Sequence, residues 1–143
     1  MLKGIPNILS PELLKVLMEM GHGDTIVIAD GNFPAHSMGP QVIRLDGHGV
    51  PEILKAILQV MPLDKYVDAA TALMEVTPQD KGMVPEIWST YKQLIDTADG
   101  NQNIEHIERF KFYDESKKAY AIVATGEAAI YANVILKKGV VFN

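Results

Sequence analysis

The chain has no cysteine among its 143 residues, which excludes a disulfide framework and any thiolate nucleophile or ligand. No apolar run reaches the length of a membrane span, and the opening Met1-Leu2-Lys3-Gly4-Ile5-Pro6 lacks the apolar core of a signal peptide. Both absences give the expectation of a cytoplasmic protein with no membrane partner. Positive charge is also scarce: 13 lysines and arginines face 18 aspartates and glutamates, for a net charge of −5. A nucleic-acid binder carries a basic face, so a neutral or cationic small molecule is the better expected partner. The sequence has no phosphate-cradling glycine loop, no obvious serine nucleophile, no internal repeat and no linker-like tract. His36, Asp46 and His48 fit no ligand spacing, so no metal is expected.

What is present is ordinary globular material, 48% hydrophobic and 22% charged, long enough for a real core. Residues 1–143 are read as one domain. Ser10-Pro11-Glu12 opens a helix, with a serine cap, proline in the first turn and a carboxylate at the positive end. Leu13, Leu14, Leu17 and Met18 continue it at helical spacing to Met20, where Gly21 suits a stop. Asp24 to Asp30, containing Ile26-Val27-Ile28-Ala29, reads as a strand covered on both faces. Phe33 to Pro40 is loop, Gln41 to Leu45 a second strand, and Pro51 to Met61 a helix with Ile53, Leu54, Ile57 and Leu58 on one stripe. Ala72 to Val76 reads as a strand. Val84-Pro85-Glu86 starts a helix through Trp88, Tyr91 and Ile95 that stops before Asp99-Gly100-Asn101.

In the last third, Glu108 to Tyr113 shows a period of two and reads as a strand, with Phe110 and Phe112 on the core face and Arg109, Lys111 and Tyr113 on the other. Asp114 to Lys118 is a polar turn or one helical turn, Ala119 to Thr125 a strand, and Tyr131 to Lys137 a final strand on which Tyr131 and Asn133 point the same way. The expected fold is α/β, a layered α/β/α single domain with a mixed sheet, partly antiparallel because the late strands follow with little helix between them.

The chemistry-bearing residues are His22, lodged between glycines, Asp30 at a strand end, and the co-facial pairs Arg109 with Tyr113 and Tyr131 with Asn133. Together they offer a group that titrates near neutrality, a carboxylate, a guanidinium, two phenols and an amide. Such a set suits a hydroxyl-rich ligand, with histidine as the natural proton shuttle. Each has a plainer alternative. His22 fits a helix-end hydrogen bond, Asp30 before Gly31-Asn32 fits an Asx turn, Arg109 a solvated face, and the tyrosines packing. His22 and Asp30 also bracket one strand, so a straight strand keeps them apart within one chain.

The runs Ser10-Pro11-Glu12-Leu13-Leu14, Met20-Gly21-His22-Gly23-Asp24, Asn32-Phe33-Pro34-Ala35, Ile43-Arg44-Leu45-Asp46-Gly47, Glu108-Arg109-Phe110, Ala124-Thr125-Gly126-Glu127 and Leu136-Lys137-Lys138-Gly139-Val140 extend over nearly the whole chain. Together they resemble the L-fucose mutarotase branch of the ribose pyranase and fucose mutarotase family. The resemblance implies an isomerase that interconverts sugar anomers, L-fucose first among them, with no cofactor and no metal. It implies His22 as the catalytic proton donor, and Asp30, Arg109, Tyr131 and Asn133 as substrate-binding residues. Asp64, Met74 and Tyr113 are implied as further pocket residues. It also implies a homo-oligomer, a decamer of two stacked pentamers with the pocket near a subunit interface. Ribose pyranase activity and a non-catalytic sugar-binding oligomer are the alternatives. One departure stands out: the family's Tyr-Gly-Asn is Tyr131-Ala132-Asn133 here, which adds a methyl group and removes backbone freedom.

Overall fold

The computed structural model describes residues 1–98 and 103–143. The first helix, α1 (Pro11–Glu19), begins as expected: Ser10 is its cap, and the serine hydroxyl accepts the Leu13 N–H at 3.2 Å. Strand β1 (Thr25–Ala29) follows, then a 3₁₀ turn at Ala35–Met38 inside the expected loop, and β2 (Gln41–Leu45). Helix α2 (Val50–Val60), β3 (Thr71–Met74), a 3₁₀ turn at Pro78–Asp80 and α3 (Ile87–Thr97) come next. The expected stop at Asp99-Gly100-Asn101 lies outside the described residues. The chain ends with β4 (Ile104–Ile107), α4 (Arg109–Lys117), β5 (Ala121–Thr125) and β6 (Val134–Lys137).

Six strands form one sheet in the order β2-β5-β1-β6-β3-β4. All neighbouring pairs are parallel except those of β6, which runs antiparallel to β1 and to β3 on its two sides. The central strands read as unbroken apolar runs because both faces are covered. On one face Ile26, Ile28, Leu73, Val123 and Leu136 pack with Leu13 and Leu17 of α1, Ile53 and Ile57 of α2, and Tyr91 and Ile95 of α3. On the other face Val27, Ala29, Ala72, Met74, Ile122 and Ile135 pack with Phe112 of α4 and Ala35. The layered α/β/α reading with a mixed sheet therefore holds.

Two local readings are corrected. Arg109 to Tyr113 is helical, with Glu108 as the cap and the strand lying just before it as β4. Glu108 caps the helix: its side chain accepts the N–H groups of Phe110 at 3.0 Å and Lys111 at 3.1 Å. That capping satisfies donors that a strand would have sent to a neighbour. The helical turn buries Phe112 and Ser116, four residues apart, while Phe110 is 66% exposed, so the alternation of two aromatic residues did not mark a core face. Tyr131 also lies outside its expected strand, in the left-handed region at φ 56°. The final strand starts only at Val134, and the carbonyls of Tyr131 and Ala132 ahead of it are taken by α3. Trp88 Nε1 donates to the Tyr131 carbonyl at 2.8 Å, and the Tyr91 hydroxyl donates to the Ala132 carbonyl at 2.7 Å. Ala132 itself is fully buried with a negative φ, so its methyl group sits in the core without backbone strain.

Candidate functional site

Where β6 is inserted between β1 and β3, the carboxyl ends of those two strands and the entry to β6 open onto a common pocket of about 410 Å³. This is the end of an α/β sheet at which ligands usually bind, and the volume suits a small molecule. Asp30 comes from the end of β1, Met74 from the end of β3, and Tyr131 and Asn133 from the approach to β6. Arg109 and Tyr113 come from the first turns of α4.

Asp30 and Asn133 form the buried base of the pocket, 6% and 5% exposed. The Asp30 N–H donates to Asn133 Oδ1 at 2.8 Å, and Asp30 Oδ1 accepts the Asn32 N–H at 3.0 Å. Asp30 thus makes the Asx turn and lines the pocket at once. Burial pushes its carboxyl above the ordinary value. Backbone N–H groups of Asn32, Ala132 and Phe33 work against that, and the nearby negative charge of Glu127 adds to it. A carboxylate biased toward taking a proton is suited to act as a base or to bind hydroxyls.

Helical geometry brings Arg109 and Tyr113 together at i and i+4 rather than by alternation. Arg109 Nε donates to the Tyr113 hydroxyl at 3.2 Å, and the guanidinium lies 5.4 Å from the centre of the Tyr113 ring and 5.5 Å from that of Phe110. Phe33 stands edge-on to Tyr113 at 5.7 Å and to Phe112 at 6.0 Å, giving the pocket an aromatic wall. The Tyr131 hydroxyl donates to Asp80 Oδ2 at 2.6 Å and meets Thr77 Oγ1 at 2.9 Å.

His22 and Asp64 lie elsewhere. His22 Nε2 is 3.0 Å from Asp64 Oδ1, at the amino end of β1, so the five residues of that strand, roughly 17 Å, separate it from Asp30. Asp64 is buried and His22 half exposed, its ring 5.5 Å from that of Tyr66. Burial raises the Asp64 carboxyl. The Tyr66 N–H, the His22 ring and the charge of Lys137 together more than offset this, so it ends below its ordinary value of 3.8. The His22 loop is tied down by Lys138, whose ammonium donates to the Leu17 carbonyl at 2.7 Å and whose carbonyl accepts the Gly23 N–H at 2.9 Å.

Of the residues singled out from sequence, Asp30, Met74, Arg109, Tyr113, Tyr131 and Asn133 share the pocket, while His22 and Asp64 pair with each other outside it. Sequence reading passed over Phe33, Thr77 and Asp80, which also line the pocket. The signal for the last two was their place directly after the carboxyl end of a strand, where α/β folds put ligand-binding loops. Among the described residues no cluster of three or more His, Asp or Glu residues is arranged to hold a metal ion, and no helix is long and apolar enough to cross a membrane.

A carboxylate, an amide, a guanidinium and phenols converging on an aromatic-walled pocket define a single-domain α/β protein equipped to hold a small hydroxyl-rich molecule. The chain belongs to the RbsD / FucU transport protein family, whose profile matches residues 3–141. A fucose mutarotase of Danio rerio is 52% identical over 145 residues, covering 98% of this chain and 94% of its own. An L-fucose mutarotase of Actinobacillus pleuropneumoniae is 50% identical over 141 residues, covering 98% of this chain and 97% of its own. The crystal structure of the fucose mutarotase from Streptococcus pneumoniae in complex with L-fucose aligns with a TM-score of 0.92 at 53% identity, covering 99% of this chain and 100% of that one.

Proposed function

We propose that this chain is an isomerase that interconverts the α and β anomers of L-fucose. The observation that carries the reading is the convergence of Asp30, Asn133, Arg109, Tyr113 and Tyr131 on one pocket, in a chain about half identical to proteins named for that reaction. Ring opening requires a base to take the anomeric hydroxyl proton and an acid to protonate the ring oxygen. The C1–O5 bond breaks, the open aldehyde turns about C1–C2, and the hydroxyl adds to the other face of the carbonyl with the proton transfers reversed. One C1–O5 bond breaks and re-forms, two protons are exchanged, and the sugar is neither oxidised nor reduced, so acid and base groups carry the chemistry and no redox cofactor is called for. Asp30 and Asn133 hold hydroxyls at the base, Arg109 donates from the rim, and Tyr113 and Met74 supply apolar contact.

In this proposal His22 is the proton donor and Asp64 its partner. Asp64 accepts a hydrogen bond from the His22 ring at 3.0 Å, which fixes the tautomer and the ring's orientation. Because the pair lies at the far end of β1, a neighbouring copy of the chain brings it to the pocket. The homo-oligomer, a decamer of two stacked pentamers, is therefore part of the proposal, as are a single mutarotase domain over residues 1–143 and a cytoplasmic location.

Saturation-transfer NMR on the anomeric protons tests the reading, with D-ribose and D-galactose beside L-fucose. Acceleration of exchange between the two fucose anomers, lost in His22→Ala, supports it. Exchange mainly between ribose ring forms moves the chain to pyranase activity, and no acceleration by folded, oligomeric protein leaves a binding module. Sedimentation of active protein as a monomer would remove the shared-site assignment of His22.

A further inference from the structure

The phenol of Tyr131 has no hydrogen-bonding capacity left. A tyrosine hydroxyl has one proton to give and two lone pairs to fill. The proton goes to Asp80 Oδ2 at 2.6 Å. The lone pairs take the Thr77 N–H at 3.2 Å and the Thr77 hydroxyl at 2.9 Å, the latter as donor because the phenolic proton is already placed. A sugar in the pocket therefore meets the Tyr131 ring and finds no open polar position on its hydroxyl.

Asp80 is different. It lines the same pocket, is half-buried, and uses one carboxylate oxygen for Tyr131. Among the described residues nothing donates to the other oxygen, Oδ1. The carboxylate is also held in place, since it ends the Pro78–Asp80 turn. The Asp80 N–H donates to the Thr77 carbonyl at 3.0 Å, and the Met83 N–H donates to the Asp80 carbonyl at 3.0 Å. An open, pre-positioned acceptor beside a saturated phenol is matched by a ligand hydroxyl, which brings a donor without a charge.

We propose that Asp80 is a further substrate-contacting residue: Oδ1 accepts a hydrogen bond from a ring hydroxyl of the bound monosaccharide while Oδ2 fixes the Tyr131 ring. This inference rests on the sugar-binding reading above. It makes the pocket two-carboxylate, with Asp30 and Asp80 as acceptors and Arg109 as donor, and so suited to neutral sugars over acidic ones.

The test is titration calorimetry with L-fucose and its monodeoxy analogues on wild type, Asp80→Asn and Tyr131→Phe. Asp80→Asn is expected to weaken L-fucose binding by roughly tenfold or more, because with its oxygen kept on Tyr131 the amide turns an NH₂ toward a hydroxyl that needs an acceptor. One monodeoxy analogue, weakened in wild type, is expected to lose nothing more in Asp80→Asn, and Tyr131→Phe, which keeps the ring, to lose less than Asp80→Asn. Asp80→Ser reads the same coupling should the asparagine variant fold poorly. Unchanged fucose affinity in Asp80→Asn, an equal loss for every analogue, or full reproduction of that loss by Tyr131→Phe would each overturn the contact. Anomer exchange in the same samples separates the two claims. Wild type that binds fucose without accelerating exchange removes the mutarotase reading and leaves the Asp80 contact to stand on its coupling. Wild type that binds no monosaccharide removes both.

Discussion

Asp30 and Asn133 lie 103 positions apart in the chain, yet the Asp30 N–H donates to Asn133 Oδ1 at 2.8 Å in the buried base of the pocket. The bond is possible because β6 enters the sheet beside β1 and in the opposite sense, which brings the start of one strand to the end of the other. It locks the backbone that presents the Asp30 carboxylate.

Removing the acceptor should cost both stability and binding. Asn133→Leu leaves a buried N–H without a partner, and the expected loss is about 1–3 kcal/mol in urea denaturation. Fucose affinity should fall by at least tenfold in the fraction that stays folded. An unchanged midpoint would mean that the Asp30 N–H finds another acceptor.

The shifted carboxyls of Asp30 and Asp64 act at different ends of the acid range. The Asp64 carboxyl is held below 3.8 in the folded chain, so its stabilising contribution is fully present above that value and is lost as pH falls through the folded pKa. The Asp30 carboxyl is raised above 3.8, so its ionisation opposes folding, and that opposition is relieved as pH falls through the folded pKa toward 3.8. Denaturation midpoints followed from about pH 7 to about pH 2 should therefore lose an acid-side decline in Asp64→Asn. Asp30→Asn should instead lose a gain that appears at higher pH. The same profile in both variants and wild type would show that neither group is linked to folding.

Glu108 begins α4 and so aims Arg109 and Tyr113. Glu108→Ala removes the acceptor for two helix-end N–H groups and should destabilise by about 1 kcal/mol. Fucose affinity should fall more than stability suggests, because the first two turns carry both side chains. Glu108→Asp, which keeps a capping oxygen, should restore most of it. Equal affinity in all three proteins would disconnect the cap from the pocket.

Gly126 admits no side chain. A Cβ there would stand 2.0 Å from the Asp46 carbonyl oxygen, so Gly126→Ala forces the loop after β5 away from that after β2. The next residue, Glu127, accepts the Val50 N–H at 3.1 Å through its side chain and the Gly31 N–H at 2.8 Å through its carbonyl. The expected result is poor expression or a loss of more than about 3 kcal/mol, with the start of α2 and the Asp30 loop exchanging amide hydrogens faster. Wild-type protection at Val50 and Gly31 would contradict this linkage.

Local chemistry alone determined much of the fold. Ser10-Pro11 begins a helix because the hydroxyl and the proline suit the free N–H groups at its end, and Ile26 to Ala29 is a strand because only a doubly covered strand is apolar throughout. Family motifs pointed to Asp30, Arg109, Tyr131 and Asn133 as one set. Periodicity misread Glu108 to Tyr113, since six residues carry an alternation and a capped helical turn equally well, and burial of Phe112 against the sheet selects the helix. Only the tertiary structure decided which residues meet. The strand order β2-β5-β1-β6-β3-β4 brings Asp30, Asn133, Tyr131 and Asp80 to one end of the sheet and joins His22 to Asp64 at the other. Pairing between distant strands depends on how whole hydrophobic faces pack, and no local stretch of sequence records that order.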